Sequence, residues 1–520
     1  MFKRIYQGKE VEMGTFNFTE EQLAAINENG NVLVIANAGS GKTSTLIEKI
    51  QRDANAITDH KVVAVMTFTN KATSEIKKRI QSNNHNFYIG TLHSFVLQNV
   101  IIPFGREIGL SKECSPKMNY SVKSNCRAVL MNKFRESGEI GCYRDDNKNF
   151  FFELATFILE KSLACAKFLY SKYAKFFIDE FQDCDRDMYK FFLKVNNRLH
   201  IPLFLVGDPK QSIYQWRGAC PKIIDKVREN KNFKVKFLKR NFRSKQQIQN
   251  FSNLFFQDCQ RLFRKCDDNS SIIWVSAKKD WKQVLENTLN TSEIQNCALL
   301  RRTNSDAENC LNKLKGLNQS FELMNKDPLN TIQDEDKWFY VAMAKQHFDP
   351  RYTFYNFLDD IPLVTDFIKI NELKNIFNSI NIHLGESKYR TDVHQLASKL
   401  GFTVQESSLN TLIKAINDKK SANFYKSRLP AYICMTIHSA KGLEFDCVVV
   451  FPEDFNIDVD EDLFLNYVAV SRAKKKLILV SDSNSTEFKR SMRRKYGELV
   501  QRQLKQQNLK LKDIMTIEMK

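Results

Sequence analysis

The chain has 520 residues, of which 42% are hydrophobic and 27% charged, an ordinary globular mixture that excludes collagen-like, mucin-like and largely disordered classes. At roughly 100–200 residues per domain, the length calls for several domains. The 79 Lys and Arg against 60 Asp and Glu leave a formal charge of +19, which favours a polyanionic partner such as nucleic acid, with a basic surface serving no such partner as the alternative.

The opening stretch, MFKRIYQGKEVEMGTF, lacks the apolar segment of a signal peptide. No run of about 18 apolar residues occurs, so no membrane helix is expected. The 12 cysteines are scattered without a C-x-x-C pair or zinc-finger spacing, and free thiols in a reducing cytoplasm are expected.

Short apolar runs then alternate with polar, glycine-containing turns. Asn31–Ala36 (NVLVIA) leads towards GSGKT, Lys61–Met66 (KVVAVM) into TFTNK, Lys175–Ile178 (KFFI) into DEFQD, and Ile201–Val206 (IPLFLV) into GDPKQS. Each predicts a buried strand with polar residues at its C-terminal end. Helical stretches such as Ser44–Arg52 and Ala72–Gln81 separate them, the alternation of a parallel α/β sheet, where ligands bind beyond the strand ends. A second series comprises Cys297–Leu300, Ala431–Thr436, Cys447–Phe451 and Lys476–Val480. Two stretches break the rhythm, about 95–173 and about 334–426; both read as helical insertions. The end, from Lys489, is rich in Lys, Arg and Gln and reads as a solvated helix or tail.

ANAGSGKT (Ala36–Thr43) follows a strand and precedes a helix, the context that turns a glycine-rich run into a phosphate loop. Gly39 and Gly41 let backbone N–H groups turn inward, and the helix N-terminus adds positive partial charge. Lys42 is placed for the β- and γ-phosphates and Thr43 for Mg²⁺. Asp179-Glu180 ends the KFFI strand: Asp179 is placed to hold Mg²⁺ through water, Glu180 to orient and deprotonate the attacking water. Gln182 and Asp183 follow beside them. Phosphoryl transfer also needs positive charge from another domain, for which Arg243 (NFRS) and Arg472 (VSRAK) are candidates.

These residues fall into an ordered set. FTEEQLAAI, ANAGSGKT, TFTNKAT, GTLHSF, FIDEFQD, VGDPKQSIYQWRGA, LKRNFRS, LLRRTN, TIHSAKGLEFDCVVV and NYVAVSRAKKKLIL run in order through nearly the whole chain. The chain thereby resembles the UvrD/Rep/PcrA helicases of superfamily 1. The resemblance implies an α/β fold with two RecA-like parallel-sheet cores of the P-loop NTPase type, each with a helical insertion subdomain. The expected division is 1–94 plus 176–232 for the first core, 95–175 for its insertion, 233–330 plus 430–486 for the second core, 331–429 for an abbreviated insertion, and 487–520 for a basic helix or tail.

The resemblance also implies roles. Gln22 reads adenine; Ala38, Gly39, Ser40, Gly41, Lys42, Thr43 and Ser44 hold the nucleotide; Phe242 stands where the family usually has a stacking tyrosine; and Glu444 touches the ribose. Lys42, Asp179, Glu180, Gln211, Arg243 and Arg472 are the catalytic set, with Thr43 and Asp179 on Mg²⁺. Phe68, Tyr214 and Trp216 form a platform for single-stranded bases, each with core packing as its alternative, and Thr67, Asn70, His93, Arg217, His438 and Lys441 are DNA-contact or coupling residues. Asn37 and Ser471 depart from the family's usual glycine and threonine.

The KSLACAKFLYSKYAKFFIDEFQDCDRDMYKFFL stretch, the NVIIPFGREIG segment and the short second insertion resemble the UvrD-like subunits of Gabija anti-phage systems. That implies an ATP- and Mg²⁺-dependent, DNA-stimulated enzyme with 3′ to 5′ family polarity, acting on single strands or DNA ends beside an OLD/Toprim-type endonuclease in the cytoplasm, with no membrane partner. A stand-alone repair or plasmid helicase and a DNA-end-sensing switch without processive unwinding remain open at this stage.

Overall fold

The computed structural model describes residues 4–6, 9–11, 18–80, 87–145, 147–266, 269–324, 327–332, 337–361, 370–426, 428–482 and 485–518. Strands β1 (Arg4–Tyr6) and β2 (Lys9–Val11) form a small antiparallel pair. The first sheet is built from β3 (Val32–Ala36), β4 (Val62–Thr67) and β5 (Phe87–Thr91); then, after the short pair β6 (Lys117–Lys123) and β7 (Glu139–Cys142), from β8 (Tyr173–Ile178), β9 (Leu203–Gly207) and β10 (Lys234–Leu238). Its order is β10-β3-β9-β8-β4-β5, parallel throughout.

The second sheet uses β11 (Ile272–Val275), β12 (Cys297–Arg301), β13 (Glu322–Leu323), β14 (Tyr432–Thr436), β15 (Phe445–Val450), β16 (Ala473–Val480) and β17 (Thr516–Glu518). Its order is β13-β14-β12-β15-β16-β11-β17, again parallel throughout. The fold is thus α/β with two RecA-like parallel-sheet cores.

The apolar runs are continuous because both faces of each sheet are covered. Along the first sheet Val32, Val34, Val63, Val65, Phe177 and Val206 pack beneath α2 (Lys42–Asn55) with Leu46 and Ile50. Their alternates Leu33, Ala64, Met66, Phe176, Ile178 and Leu205 face the other way, into one cluster shared with the first insertion. The second sheet divides likewise: Ala298, Leu300, Met435 and Val448 on one face, Leu299, Cys434, Cys447 and Val449 on the other. The second insertion, with helices such as Lys337–Phe348, Glu386–Lys399 and Glu406–Asn417, packs a cluster of its own around Phe339, Phe357, Leu396 and Leu412.

Three features differ from expectation. The first sheet takes its edge strand β10 from beyond residue 232, where the first core was expected to end; its alternating KVKFL pattern is that of a half-exposed edge rather than a buried run. The first insertion is not wholly helical, since β6 and β7 pair within it. The terminal segment is more than a solvated helix: Glu487–Gln506 buries Tyr496, Val500 and Leu504, and β17 then pairs with β11, so this segment completes the second core. No disulfide forms among the described residues. Among them no helix is long and apolar enough to cross a membrane.

Candidate nucleotide and nucleic-acid site

The loop from Ala36 to Lys42 joins β3 to α2 at the C-terminal edge of the first sheet. Gly39 (φ 71°) and Gly41 (φ 79°) lie in the left-handed region that favours glycine. A Cβ on Gly39 would lie 2.2 Å from Asn241 Oδ1, so this glycine is also fixed by close approach of the segment after β10. Gly41 is the N-cap of α2 and supplies no side-chain cap, which leaves the first N–H groups of the helix available to an anion. Lys42 Nζ and Ser40 Oγ are buried without a hydrogen-bond partner. Lys42 faces Glu180 Oε2 at 3.8 Å. A buried ammonium beside free helix amides is the donor set that a polyphosphate satisfies. Thr43 and Ser44 sit in the first turn of α2.

The strand order puts β9 between the loop strand β3 and β8, so three polar strand ends meet in one row. Asp179, at the end of β8, is buried and accepts the Glu180 N–H at 2.9 Å. Glu180 has φ 52°, a strained value for a residue with a Cβ, and such strain collects at working sites. Gln182 Nε2 donates to Glu180 Oε2, and Gln182 Oε1 accepts the Asp208 N–H at 3.0 Å. Burial and the Glu180 charge raise the pKa of Asp179. Burial would raise Glu180 too, but the Lys42 and Lys441 charges outweigh it and hold Glu180 below its ordinary value.

The second core brings both arginines to this row. Arg472 is fully buried: Nε donates to the Val468 carbonyl at 3.0 Å, Nη1 to the Leu443 carbonyl at 3.1 Å, and Nη2 to Gln211 Oε1 at 3.2 Å. Gln211 Nε2 donates in turn to Asp208 Oδ2 at 2.8 Å. Arg243 Nε donates to Glu444 Oε2 at 2.8 Å and Nη1 to the Ser471 carbonyl at 3.2 Å. Burial, then the Arg243 charge, pushes Arg472 below its ordinary pKa, as befits cations gathered where negative charge is to be received.

Two nucleotide residues already have protein partners. Both ends of the Gln22 amide are already engaged: Oε1 accepts the Thr19 N–H in the capping box of α1 (Glu20–Ile26), and Nε2 donates to the Ser40 carbonyl at 3.1 Å. Gln22 therefore braces the loop, and each end of its amide keeps one further hydrogen-bonding position for a base edge. Glu444, expected on the ribose, is paired with Arg243 and stays half-exposed. Phe242 keeps its ring 53% exposed beside the loop, and its N–H donates to the Gly39 carbonyl at 2.8 Å.

Asp208, Lys210 and Tyr467 were not singled out from the sequence, yet Asp208 stands centrally, wholly buried at the end of β9. Its signal was legible in part, since it follows a buried strand as Asp179 does. Tyr467 gave none beyond its place in NYVAVSRAK; only the packing of the helix Asp460–Val470 brings it to the loop.

The nucleic-acid residues gather less completely. Tyr214 and His438 lie 6.1 Å apart, Trp216 and His438 6.5 Å, and the Arg217 guanidinium covers the Trp216 ring at 4.5 Å. Trp216 is 54% exposed, a stacking face open to solvent. Phe68 is half-buried against the first core. His93 rests on Phe151 and Phe152, both at 5.2 Å. Thr67 is the correction here. It is buried, its hydroxyl bonded to the Thr69 carbonyl at 3.0 Å and to Thr73 Oγ1 at 2.7 Å, and it shapes the turn into α3 (Asn70–Arg79) rather than meeting a ligand. Lys441 also faces inward, bonded to Asp183 Oδ2 and to the Gln211 carbonyl. The Asn70 side chain lies outside the described residues.

This site is matched by known sequences. The UvrD/REP helicase N-terminal domain family matches residues 18–140 and 130–232, and the UvrD-like helicase C-terminal domain family matches 431–480. The chain belongs to the UvrD-like helicases and is an ATP-dependent DNA helicase enzyme of that family. Among its relatives it is 31% identical to Gabija protein GajB of Bacillus cereus (strain VD045) over 503 residues, 94% of this chain and 98% of that protein. It is 28% identical to the ATP-dependent DNA helicase Rep of Buchnera aphidicola subsp. Schizaphis graminum over 288 residues, 46% of this chain and 44% of Rep. Against the ATP-dependent DNA helicase PcrA of Staphylococcus aureus (strain Mu50) it is 23% identical over 352 residues, 56% of this chain and 48% of PcrA.

Proposed function

We propose that the chain couples Mg²⁺-dependent ATP hydrolysis to 3′ to 5′ movement on single-stranded DNA, and that it serves anti-phage defence in the cytoplasm with an OLD/Toprim-type endonuclease as partner. The observation that carries the hydrolytic reading is the buried Lys42 ammonium, which has no hydrogen-bond partner, beside the uncapped N-terminus of α2 and 3.8 Å from Glu180. The full-length likeness to GajB supports the defence assignment.

In this reading Lys42 and the loop amides bind the phosphates, with Ser40, Thr43 and Ser44 lining them. Thr43 and Asp179 are the residues that would hold Mg²⁺, which would supply charge neutralisation beside the phosphates. Glu180, held ionised by Lys42 and Lys441, takes a proton from the attacking water. Gln182 fixes the Glu180 carboxylate from the side. Arg243 and Arg472 offset charge that develops on the transferred group, and Gln211 ties Arg472 to Asp208 and so to the end of β9. Tyr214 and Trp216 follow Gln211 by three and five positions, so a base on the platform is linked to the catalytic row through one short segment.

A second reading, a DNA-end-sensing switch, is favoured by the small second insertion with its separate core. Purified Lys42→Ala and Glu180→Gln are expected to lose single-strand-stimulated ATP hydrolysis; normal turnover in either refutes the site. Strand displacement in the wild type separates motor from switch, and co-purification of a nuclease subunit tests the partner.

A further inference from the structure

Asn37 is the loop residue to which the family resemblance gives no role, since the usual residue there is glycine. Its side chain is engaged at both ends: Lys210 Nζ donates to Asn37 Oδ1 at 2.7 Å, and Asn37 Nδ2 donates to the Lys239 carbonyl at 3.3 Å. Lys210 is itself buried, with its ammonium 3.2 Å from Asp208 Oδ1 and 5.1 Å from the centre of the Tyr467 ring. Burial alone would lower the pKa of Lys210, but the Asp208 carboxylate outweighs it and keeps the cation charged.

Tyr467 reaches back from the second core. Its Oη accepts the Ala38 N–H at 3.1 Å and donates to Asp208 Oδ2 at 3.2 Å. Asp208 also receives Gln211. One ammonium therefore touches the phosphate loop, the acidic end of β9 and the face of a second-core aromatic. A glycine at position 37 would offer it no side-chain acceptor.

We infer that Lys210 and Asn37 are a pair of positioning residues, joined by one charged hydrogen bond, which hold the phosphate loop in register with Asp208 and Tyr467 so that Gln211 and Arg472 are aligned for the reaction. The inference rests on the reading of this cleft as the hydrolytic site. Neither residue touches the reacting atoms. A hydrogen bond to a buried charge is among the stronger kinds, and its loss leaves the charge to find another partner.

The test compares full-length wild type with Asn37→Ala, Lys210→Met and the double variant. Asn37→Ala leaves the Lys210–Asp208 pair in place. Amide hydrogen exchange of the nucleotide-free protein reads the loop directly: peptides spanning residues 33–46 are expected to exchange at least about fivefold faster in each variant, while peptides from 386–417 are unchanged. With saturating single-stranded DNA, kcat is expected to fall about tenfold in each single variant with KM for ATP within about twofold, and the double variant to fall no further than the worse single. Unchanged loop exchange in Asn37→Ala, losses that multiply in the double variant, or a raised KM with kcat intact each overturn the pairing. If Lys210→Met exchanges faster throughout the chain, it has lost its fold, and Asn37→Ala alone decides by the same two readouts. Lys42→Ala separates the two levels: full turnover there overturns the hydrolytic reading, whereas lost turnover there beside an unaltered Asn37→Ala overturns only the pair.

Discussion

Replacing Arg243 with alanine separates catalysis from stability better than any change at Arg472. Arg472 is buried and donates to Val468, Leu443, Gln211 and Ser471, so its removal strips the junction of the cores as well as the reaction. Arg243 makes fewer bonds, an ion pair with Glu444, whose side chain is 48% exposed, and one bond to the Ser471 carbonyl. The pair is worth about 0–1 kcal/mol at that exposure, and the carbonyl bond about 1 kcal/mol. The stability cost is therefore on the order of 1–2 kcal/mol, a shift of a few degrees in melting temperature. A transition-state arginine is worth roughly 10³-fold or more in kcat, which is about 4 kcal/mol of barrier. The assay is steady-state ATP turnover with saturating single-stranded DNA, beside binding of a fluorescent ATP analogue and thermal melting. The expected result is kcat down roughly a thousandfold with nucleotide affinity within about tenfold and the fold retained. Glu444→Ala, which keeps the arginine but frees it, should fall between Arg243→Ala and wild type. A folded Arg243→Ala enzyme within about threefold of wild-type kcat would refute the role and leave Arg243 as a structural tie.

Glu453 gives a pH-dependent expectation. It is buried with neither carboxylate oxygen bonded, and burial, then the Asp454 charge, raises its pKa from 4.5 to about 7. An acid raised in the folded state holds its proton more tightly when folded, so stability falls as pH rises from 4.5 to about 7, by at most about 3 kcal/mol. Glu453→Gln should melt higher than wild type at pH 8 and equally at pH 4.5; an equal gap at both pH values contradicts this. On the platform, Trp216→Ala should weaken single-stranded oligonucleotide binding by about 1–3 kcal/mol, measured by fluorescence anisotropy. Thr67→Val should leave that affinity unchanged and lower the melting temperature, because its hydroxyl bonds are internal; weakened DNA binding in Thr67→Val would restore it as a contact.

Residues close in sequence and constrained by chemistry could be read without coordinates. ANAGSGKT between a strand and a helix carries its own backbone requirements, and the DE pair closing KFFI needs only the strand beneath it to be buried. The central strands β3, β8, β9, β12, β14 and β15 announced themselves because a strand covered on both faces is apolar at nearly every position, with Lys175 of β8 and Asp446 of β15 among the buried exceptions. Edge strands carry no such demand. β10 alternates lysine with apolar residues and β17 is three residues long, so neither stood out, and both boundaries drawn near them were misplaced.

What tertiary structure decided is which atoms the site residues have left to offer. Gln22, Thr67 and Lys441 have the expected residue types, but their polar atoms are engaged by partners 18, 2 and 6, and 258 and 230 positions away in the chain. Contacts between the cores and within the first core were decided in the same way. Tyr467 reaches Ala38 across 429 positions, and Lys210 reaches Asn37 across 173. Sequence by itself determined the chemistry of the loop, the carboxylates and the arginines, because those follow from residue type and local backbone. The register between them depends on side chains that meet only when the sheets are assembled, since a hydrogen bond needs its partners within about 3 Å and no local pattern encodes that distance.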